Sequence, residues 1–299
     1  MTSAHDGVVG VVGLGNMGSV LAANLVEAGH TVVAHDALGP HRAPEGATTA
    51  DDVADLARRA DVVVCSLPDS AASEQVAAEV VSTDRRRTTH VVDTSTIGVP
   101  AARSIDALLA RAGVAYVDAP VSGGVAGARA RTLVVMYAGA DDACALVEPV
   151  LAGLSDRRHR VGARPGAAQA MKLANNFLSA TTLAATSEAI AFGVSEGLDM
   201  ATMLEVLDAS SGRSAATSDK FPDHVLTGRF ASGFANTLMA KDVRLYLEAV
   251  DGQGGPAAIG AVTAAVWERF ATEQPGVDFT RIHPFVVAGG AALPGRNRS

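Results

Sequence analysis

Between Val8 and Gly139 short β-branched apolar runs alternate with longer stretches whose apolar positions recur every three or four residues. The runs at 8–13, 31–36, 61–67, 89–95, 114–121 and 132–139 predict strands. The stretches SVLAANLVEAG, DDVADLARRA, SAASEQVAAEVV and VPAARSIDALLARAG between them predict helices, and DDACALVEPVLAGL follows the last strand. Strands that are apolar along most of their length are covered on both faces, so the pattern predicts a mainly parallel sheet between two helical layers. With right-handed crossovers this is a doubly wound α/β domain.

The pattern changes near residue 162. After Pro165-Gly166 the strand signals stop, and from Ala167 to Gly197 the period is helical, roughly 45 Å of helix at the standard rise. Further helices are predicted at MATMLEVLDAS, around NTLMAKDVRLYLEAV and at AAIGAVTAAVWERFATE. The expected organisation is a first domain at 7–163 and an all-helical second domain at 164–299, joined by the long helix. No internal repeat is visible, and the tail ALPGRNRS is expected to be loose.

Composition narrows the function classes. With 48% apolar and 19% charged residues in 299, the chain can bury large cores and is not a disordered one. A formal net charge of −8 argues against a general nucleic-acid or membrane-surface binder, because phosphate backbones demand clustered Lys and Arg. The two basic clusters, Arg85 to Arg87 and Arg157 to Arg160, fall between helix and strand signals and read as solvated turns. Two cysteines, Cys65 and Cys144, support neither a disulfide framework nor a metal cluster. The N-terminus lacks the pattern of a signal peptide, and no uninterrupted apolar run of about 18 residues exists. A cytoplasmic protein with no membrane or nucleic-acid partner is the expectation.

The segment GVVGLGNMGSVLAANLVEAGHTVVAHD places Gly13, Gly15 and Gly18 in G-x-G-x-x-G spacing. That loop, with Leu14, Asn16 and Met17 between the glycines, follows a strand and opens an amphipathic helix, the context a dinucleotide site requires. The first domain is therefore of the Rossmann type. Asp36, 18 residues after Gly18, stands where a carboxylate meets the adenosine ribose hydroxyls. A 2′-phosphate would meet like charge there, so NAD is favoured. His41 and Arg42 lie close enough along the chain to permit some NADP binding.

Lys172 and Asn176 are four apart on the long helix and share a face beside the apolar stripe of Leu173 and Phe177. An isolated lysine there would read as a solvated face. Taken with DTSTIGVP (93–100), DAPVSGG (118–124) and LMAKD (238–242), the chain resembles the β-hydroxyacid dehydrogenase family over nearly its whole length. Within that family it is most similar to the 3-hydroxyisobutyrate dehydrogenases and tartronate semialdehyde reductases. The resemblance implies that Lys172 is the catalytic lysine and Asn176 the amide that helps hold it and the substrate. It implies that Ser122, Gly123 and Gly124 grip a substrate carboxylate. Leu67, Pro68, Thr96 and Lys241 then line the cofactor, and the protein is a homodimer or homotetramer.

The chemistry agrees with this. Oxidising an alcohol with NAD leaves a hydroxyl proton for the protein to accept. An ammonium at its free pKa of about 10.4 is a poor neutral-pH base, and burial lowers it. The expected substrate is a small 3-hydroxycarboxylate or its semialdehyde. Arg131, with Arg129 two before it, stands where the family carries a small residue, which suggests a second anionic group on the substrate if either side chain enters the pocket. Arg244 and Tyr246 replace smaller residues. Two other readings are an NADPH-dependent imine reductase, against which Lys172 and Asp36 argue, and a non-catalytic dinucleotide-binding module, against which the intact Lys172 and Asn176 argue.

Overall fold

The computed structural model describes residues 7–289; the tail expected to be loose lies outside the described residues. The strands are β1 (Val8–Val12), β2 (Thr31–His35), β3 (Thr48–Thr49), β4 (Val62–Cys65), β5 (His90–Asp93), β6 (Ala115–Asp118), β7 (Val121–Ser122), β8 (Val134–Ala138) and β9 (Arg157–Gly162). The helices accompanying them are α1 (Gly18–Glu27), α2 (Val53–Arg59), α3 (Ser70–Ser82), α4 (Val99–Arg111), α5 (Gly124–Arg129) and α6 (Asp141–Leu154). Then come α7 (Ala167–Ser195), α8 (Met200–Asp208), α9 (Asn236–Asp251), α10 (Ala258–Glu273) and α11 (Ile282–Val287). The chain divides into two compact units, one ending at Lys172 and the other beginning at Leu173.

In the first unit the sheet runs β3-β2-β1-β4-β5-β6-β8-β7, with β9 on β8. All pairings are parallel except β6 and β7 against β8. Alternate residues of each central strand enter opposite cores. Val9, Val11, Val62 and Val64 meet Leu21, Leu25 and Val147 on one side. Val63, Cys65, Val91 and Tyr116 meet Leu56, Val80 and Leu109 on the other. This two-sided burial is why these strands read as continuous apolar runs. The connection order reverses between β1 and β4, and a doubly wound sheet has its ligand crevice at the carboxyl ends of such strands.

The second unit is helical. Ala180, Leu183 and Ile190 of α7 pack with Leu204, Phe221, Met239, Trp267, Phe270 and Phe285. Trp267 donates its indole N–H to the Ala180 carbonyl at 3.2 Å. Residues Ala216–Val225, unassigned from the sequence, form a π-helical stretch that contains Pro222 and buries Phe221. Proline lacks the N–H that an α-helical turn uses, and the wider turn absorbs that loss.

One expectation needs correction. Arg157 to Arg160 is not a turn but the body of β9, paired in parallel with β8. Arg158 bonds Glu148 at 2.9 Å and Arg160 pairs with Asp141, so partners elsewhere in the chain hold an edge strand that carries almost no β-forming residues. Arg85 to Arg87 does lie in a turn, with Arg87 bridged to Asp61 at 3.0 Å. By length and composition, α7 is also long and apolar enough to cross a membrane, with mean hydropathy 1.3 in its best window. Its buried Gln169, Lys172 and Asn176 interrupt the apolar run, and Ala180, Leu183 and Ile190 pack into the core of the second unit.

Candidate active site

The dinucleotide loop is built by steric necessity. Gly13 leaves β1 at φ +90°, and a Cβ there would collide with the Ser66 carbonyl oxygen at the end of β4. A Cβ on Gly18 would strike the Gly13 carbonyl, so helix and loop pack backbone to backbone. Beside Gly15 a Cβ would meet nothing within 4 Å, which leaves open space for a pyrophosphate at the start of α1. Met17 caps that helix without any side-chain hydrogen bond to its backbone. The three glycines thus fit a bound dinucleotide.

Asp36 closes the loop from the next strand. Its Oδ2 accepts the Leu14 N–H at 2.6 Å and its Oδ1 the Leu38 N–H at 2.8 Å. The carboxylate is therefore aimed at the glycine loop, with second lone pairs left for ribose hydroxyls. Leu67 presses its Cδ2 to 3.0 Å from where a Gly13 Cβ would stand, and Pro68 follows it. The Leu67 N–H donates to Ser95 Oγ at 2.8 Å, which ties the β4 end to the loop carrying Thr96. These predicted cofactor residues come together at the switch point.

Ser122 ends β7, opposite Val134 of β8. Gly123 and Gly124 follow at φ +129° and +64°, backbone that side chains rarely adopt. The arginines behind this loop are not where the substrate reading wanted them. Arg131 donates to the carbonyls of Asn24 at 2.7 Å and Gly153 at 3.1 Å, near the ends of α1 and α6. Asn24 in turn donates to the Ala128 carbonyl at 2.8 Å, so Arg131 belongs to a scaffold. Arg129 is exposed.

The start of α7 is unusually well anchored. Asp118 Oδ2 accepts the N–H groups of Gly166 at 3.0 Å and Gln169 at 2.9 Å, capping the helix from the end of β6. Burial nevertheless pushes its carboxyl up to about 7. Its register neighbour Asp93 is also buried and pushed upward. The Gln169 amide accepts from Ile97 at 3.0 Å and Gly98 at 3.1 Å, and donates to the Ser95 carbonyl at 3.0 Å.

Three residues further on, Lys172 is only 7% exposed and Asn176 4%. Lysines are seldom buried unless partnered, so this is not a solvated helix face. In the second unit, Asn176 donates to Asp242 Oδ2 at 2.6 Å and accepts from Asn175 at 3.1 Å. Lys241 stands 3.3 Å from the other oxygen of Asp242. Tyr246 stacks on Phe177 with ring centroids 4.3 Å apart, and exposed Arg244 pairs with Glu248.

Three residues were left out of the site read from the sequence: Asp118, Gln169 and Asp242. Asp118 opens the DAPVSGG motif and Asp242 follows Lys241, so only their chain neighbours pointed to them. Gln169 gave no signal, because its partners lie 71 to 74 positions away.

Two family descriptions match the chain in succession. Residues 8–162 match the NAD binding domain of 6-phosphogluconate dehydrogenase. Residues 166–285 match the NAD-binding family of NADP-dependent 3-hydroxyisobutyrate dehydrogenase. The 2-(hydroxymethyl)glutarate dehydrogenase of Eubacterium barkeri is 35% identical over 87% of this chain and 88% of its own. A probable 3-hydroxyisobutyrate dehydrogenase of Mycobacterium tuberculosis is 33% identical over 92% and 96%. The structure of the Mycobacterium tuberculosis 3-hydroxyisobutyrate dehydrogenase with L-serine superposes with a TM-score of 0.87 at 32% identity, covering 94% of this chain and 99% of that one. An imine reductase from Pseudomonas sp., at 21% identity and a TM-score of 0.62, shares the fold alone. With both halves matched in order and relatives aligned along nearly all of its length, the chain belongs to the β-hydroxyacid dehydrogenase family.

Proposed function

We propose that this protein oxidises a small 3-hydroxycarboxylate to its semialdehyde, or catalyses the reverse, with NAD favoured over NADP. The observation that carries the reading is the burial of Lys172 one turn before Asn176 on α7. Bound dinucleotide supplies the hydride acceptor. Lys172 takes the hydroxyl proton from oxygen as hydride leaves the carbon that bears that oxygen, and returns a proton to the carbonyl oxygen in the reductive direction. Asn176, held by Asp242, orients substrate and lysine without adding charge. Ser122 offers its hydroxyl, and Gly123 and Gly124 their N–H groups, to the substrate carboxylate. By its match to the family's motif, Lys241 would serve the nicotinamide end of the cofactor, and Asp36 disfavours a 2′-phosphate by like charge.

We assign dinucleotide binding to residues 7–163, and substrate binding and assembly to 164–299. Exposed Leu178 and Phe192 on α7 support a homodimer or homotetramer. Two free, buried cysteines fit a cytoplasmic location.

The test is initial rates with NAD and NADP on 3-hydroxyisobutyrate, 2-(hydroxymethyl)glutarate, 3-hydroxypropionate, serine and glycerate, with Lys172→Ala beside wild type. Turnover of one acid, and a loss of roughly 10²–10⁴ in kcat with NADH affinity retained in the variant, supports the reading. Equal rates in both proteins would remove Lys172 from the chemistry. A wild type that binds NADH but turns over no acid, in either direction, would overturn the dehydrogenase reading.

A further inference from the structure

Three segments of the first unit carry candidate catalytic or cofactor residues: the β4 end with Leu67, the β5 end with Thr96, and the first turns of α7 with Lys172. One chain of hydrogen bonds, buried at its Gln169 end, joins them. The Leu67 N–H meets Ser95 Oγ at 2.8 Å, and the Ser95 carbonyl accepts the Gln169 amide N–H at 3.0 Å. The same amide's oxygen receives the Ile97 and Gly98 N–H groups, so one side chain spans both sides of Thr96. Gln169 is fully buried. Its orientation is forced, because turning the amide over would set N–H against two N–H groups. Positions three apart on a helix are neighbours, so this tie sits directly beside the root of Lys172.

We propose that Gln169 is a positioning residue: it locks the Ser95–Gly98 loop to α7 and thereby sets the Lys172 amine against the cofactor-lining Thr96. The inference rests on the proposed dehydrogenase reaction. It requires a group that accepts twice and donates once in a dry site. A neutral carboxylic acid has that capacity, a carboxylate lacks the donor, and leucine has neither.

The experiment compares Gln169→Glu and Gln169→Leu with wild type across pH 5.5–9, reading kcat, KM and NADH affinity. Charged or titratable groups close to the site are Asp93 on β5, Asp118 on β6, Arg103 of α4 beside Gly166, and Lys172 itself. Rates are therefore taken as a ratio to wild type at each pH, which divides out their shared titration. Gln169→Leu is expected to lower kcat about 10- to 100-fold at every pH while NADH affinity changes less than about threefold, the size expected when a reacting group is misplaced by an ångström. Gln169→Glu is expected to approach wild type at low pH, where its carboxyl is neutral, and to fall toward the leucine variant as pH rises. Leucine-variant kcat within twofold of wild type, or equal losses in kcat and NADH affinity, would overturn the proposal, as would a glutamate variant whose relative rate ignores pH.

A readout without turnover separates this inference from the reaction it rests on. Acetic anhydride labelling of Lys172 against pH, referenced to Lys220, reports the amine's surroundings directly. A shifted Lys172 profile in Gln169→Leu supports the tie even if wild type turns over nothing, in which case only the reaction is wrong. An unshifted profile overturns the tie whatever the rates.

Discussion

Asn176 gives its amide N–H to the Asp242 carboxylate at 2.6 Å across 66 positions of sequence, from α7 to α9. Both residues are buried, so the bond forms where water cannot replace it. Asp242→Ala should cost about 1–3 kcal/mol, the penalty for a buried donor stripped of its acceptor. Asp242→Asn keeps an acceptor and should cost less. Urea unfolding of the two variants beside Asn176→Ala gives the comparison, and a double-mutant cycle isolates the pair. Additive single losses would show that the bond contributes nothing of its own.

Asp36 already holds the Leu14 and Leu38 N–H groups, so replacing it tests charge only if the acceptor is retained. Asp36→Asn should raise kcat/KM for NADP relative to NAD by roughly tenfold or more. The ceiling is about 4 kcal/mol for a unit charge at about 4 Å and an effective dielectric near 20. Specificity ratios measured at fixed ionic strength decide it, since salt screens the same term.

Asp118 makes stability depend on pH. Unfolded, its carboxyl ionises near pH 4; folded, it stays protonated up to about 7. The folded chain binds the extra proton between those values, so this contribution to stability falls as pH rises through that window and levels off above it. Asp118→Asn keeps an acceptor for Gly166 and Gln169 without titrating. Its stability relative to wild type should therefore improve by about 2–3 kcal/mol between pH 5 and 8. A pH-independent difference in urea unfolding would show that the carboxyl is ionised in the fold.

Arg131 sits at φ +56° and spends its guanidinium on Asn24 and Gly153. Arg131→Gly removes left-handed strain of about 1–2 kcal/mol and forfeits charge-assisted bonds of about 1.5–3 kcal/mol each. A net loss of about 1–5 kcal/mol is expected, with relative rates across the acid panel unchanged. A changed substrate order would return Arg131 to the pocket.

Much of this was legible along the chain. Apolar runs and helical periods announced the principal strands and most helices, because burial on one or two faces leaves a local signature. The loop from Gly13 to Gly18 was readable for a related reason: its glycines answer to contacts that recur wherever a strand turns into a helix over a phosphate. Lys172 and Asn176 could be put on one face because four residues make about one turn. The two-residue strands β3 and β7 left no such trace. Nor did β9, whose arginines hide a strand that only β8, Glu148 and Asp141 explain.

The sequence by itself thus determined the layer order, the glycine loop and the shared helix face of Lys172 and Asn176, since each depends on periodicity or spacing within some tens of residues. Only the tertiary structure decided that Asp242 holds Asn176, that Gln169 ties the Thr96 loop to α7, and that Arg131 faces two helix ends instead of substrate. Those outcomes depend on which polar groups are shut away from water together. A buried donor must find whatever acceptor the packing brings near, and nothing in its immediate sequence names that partner.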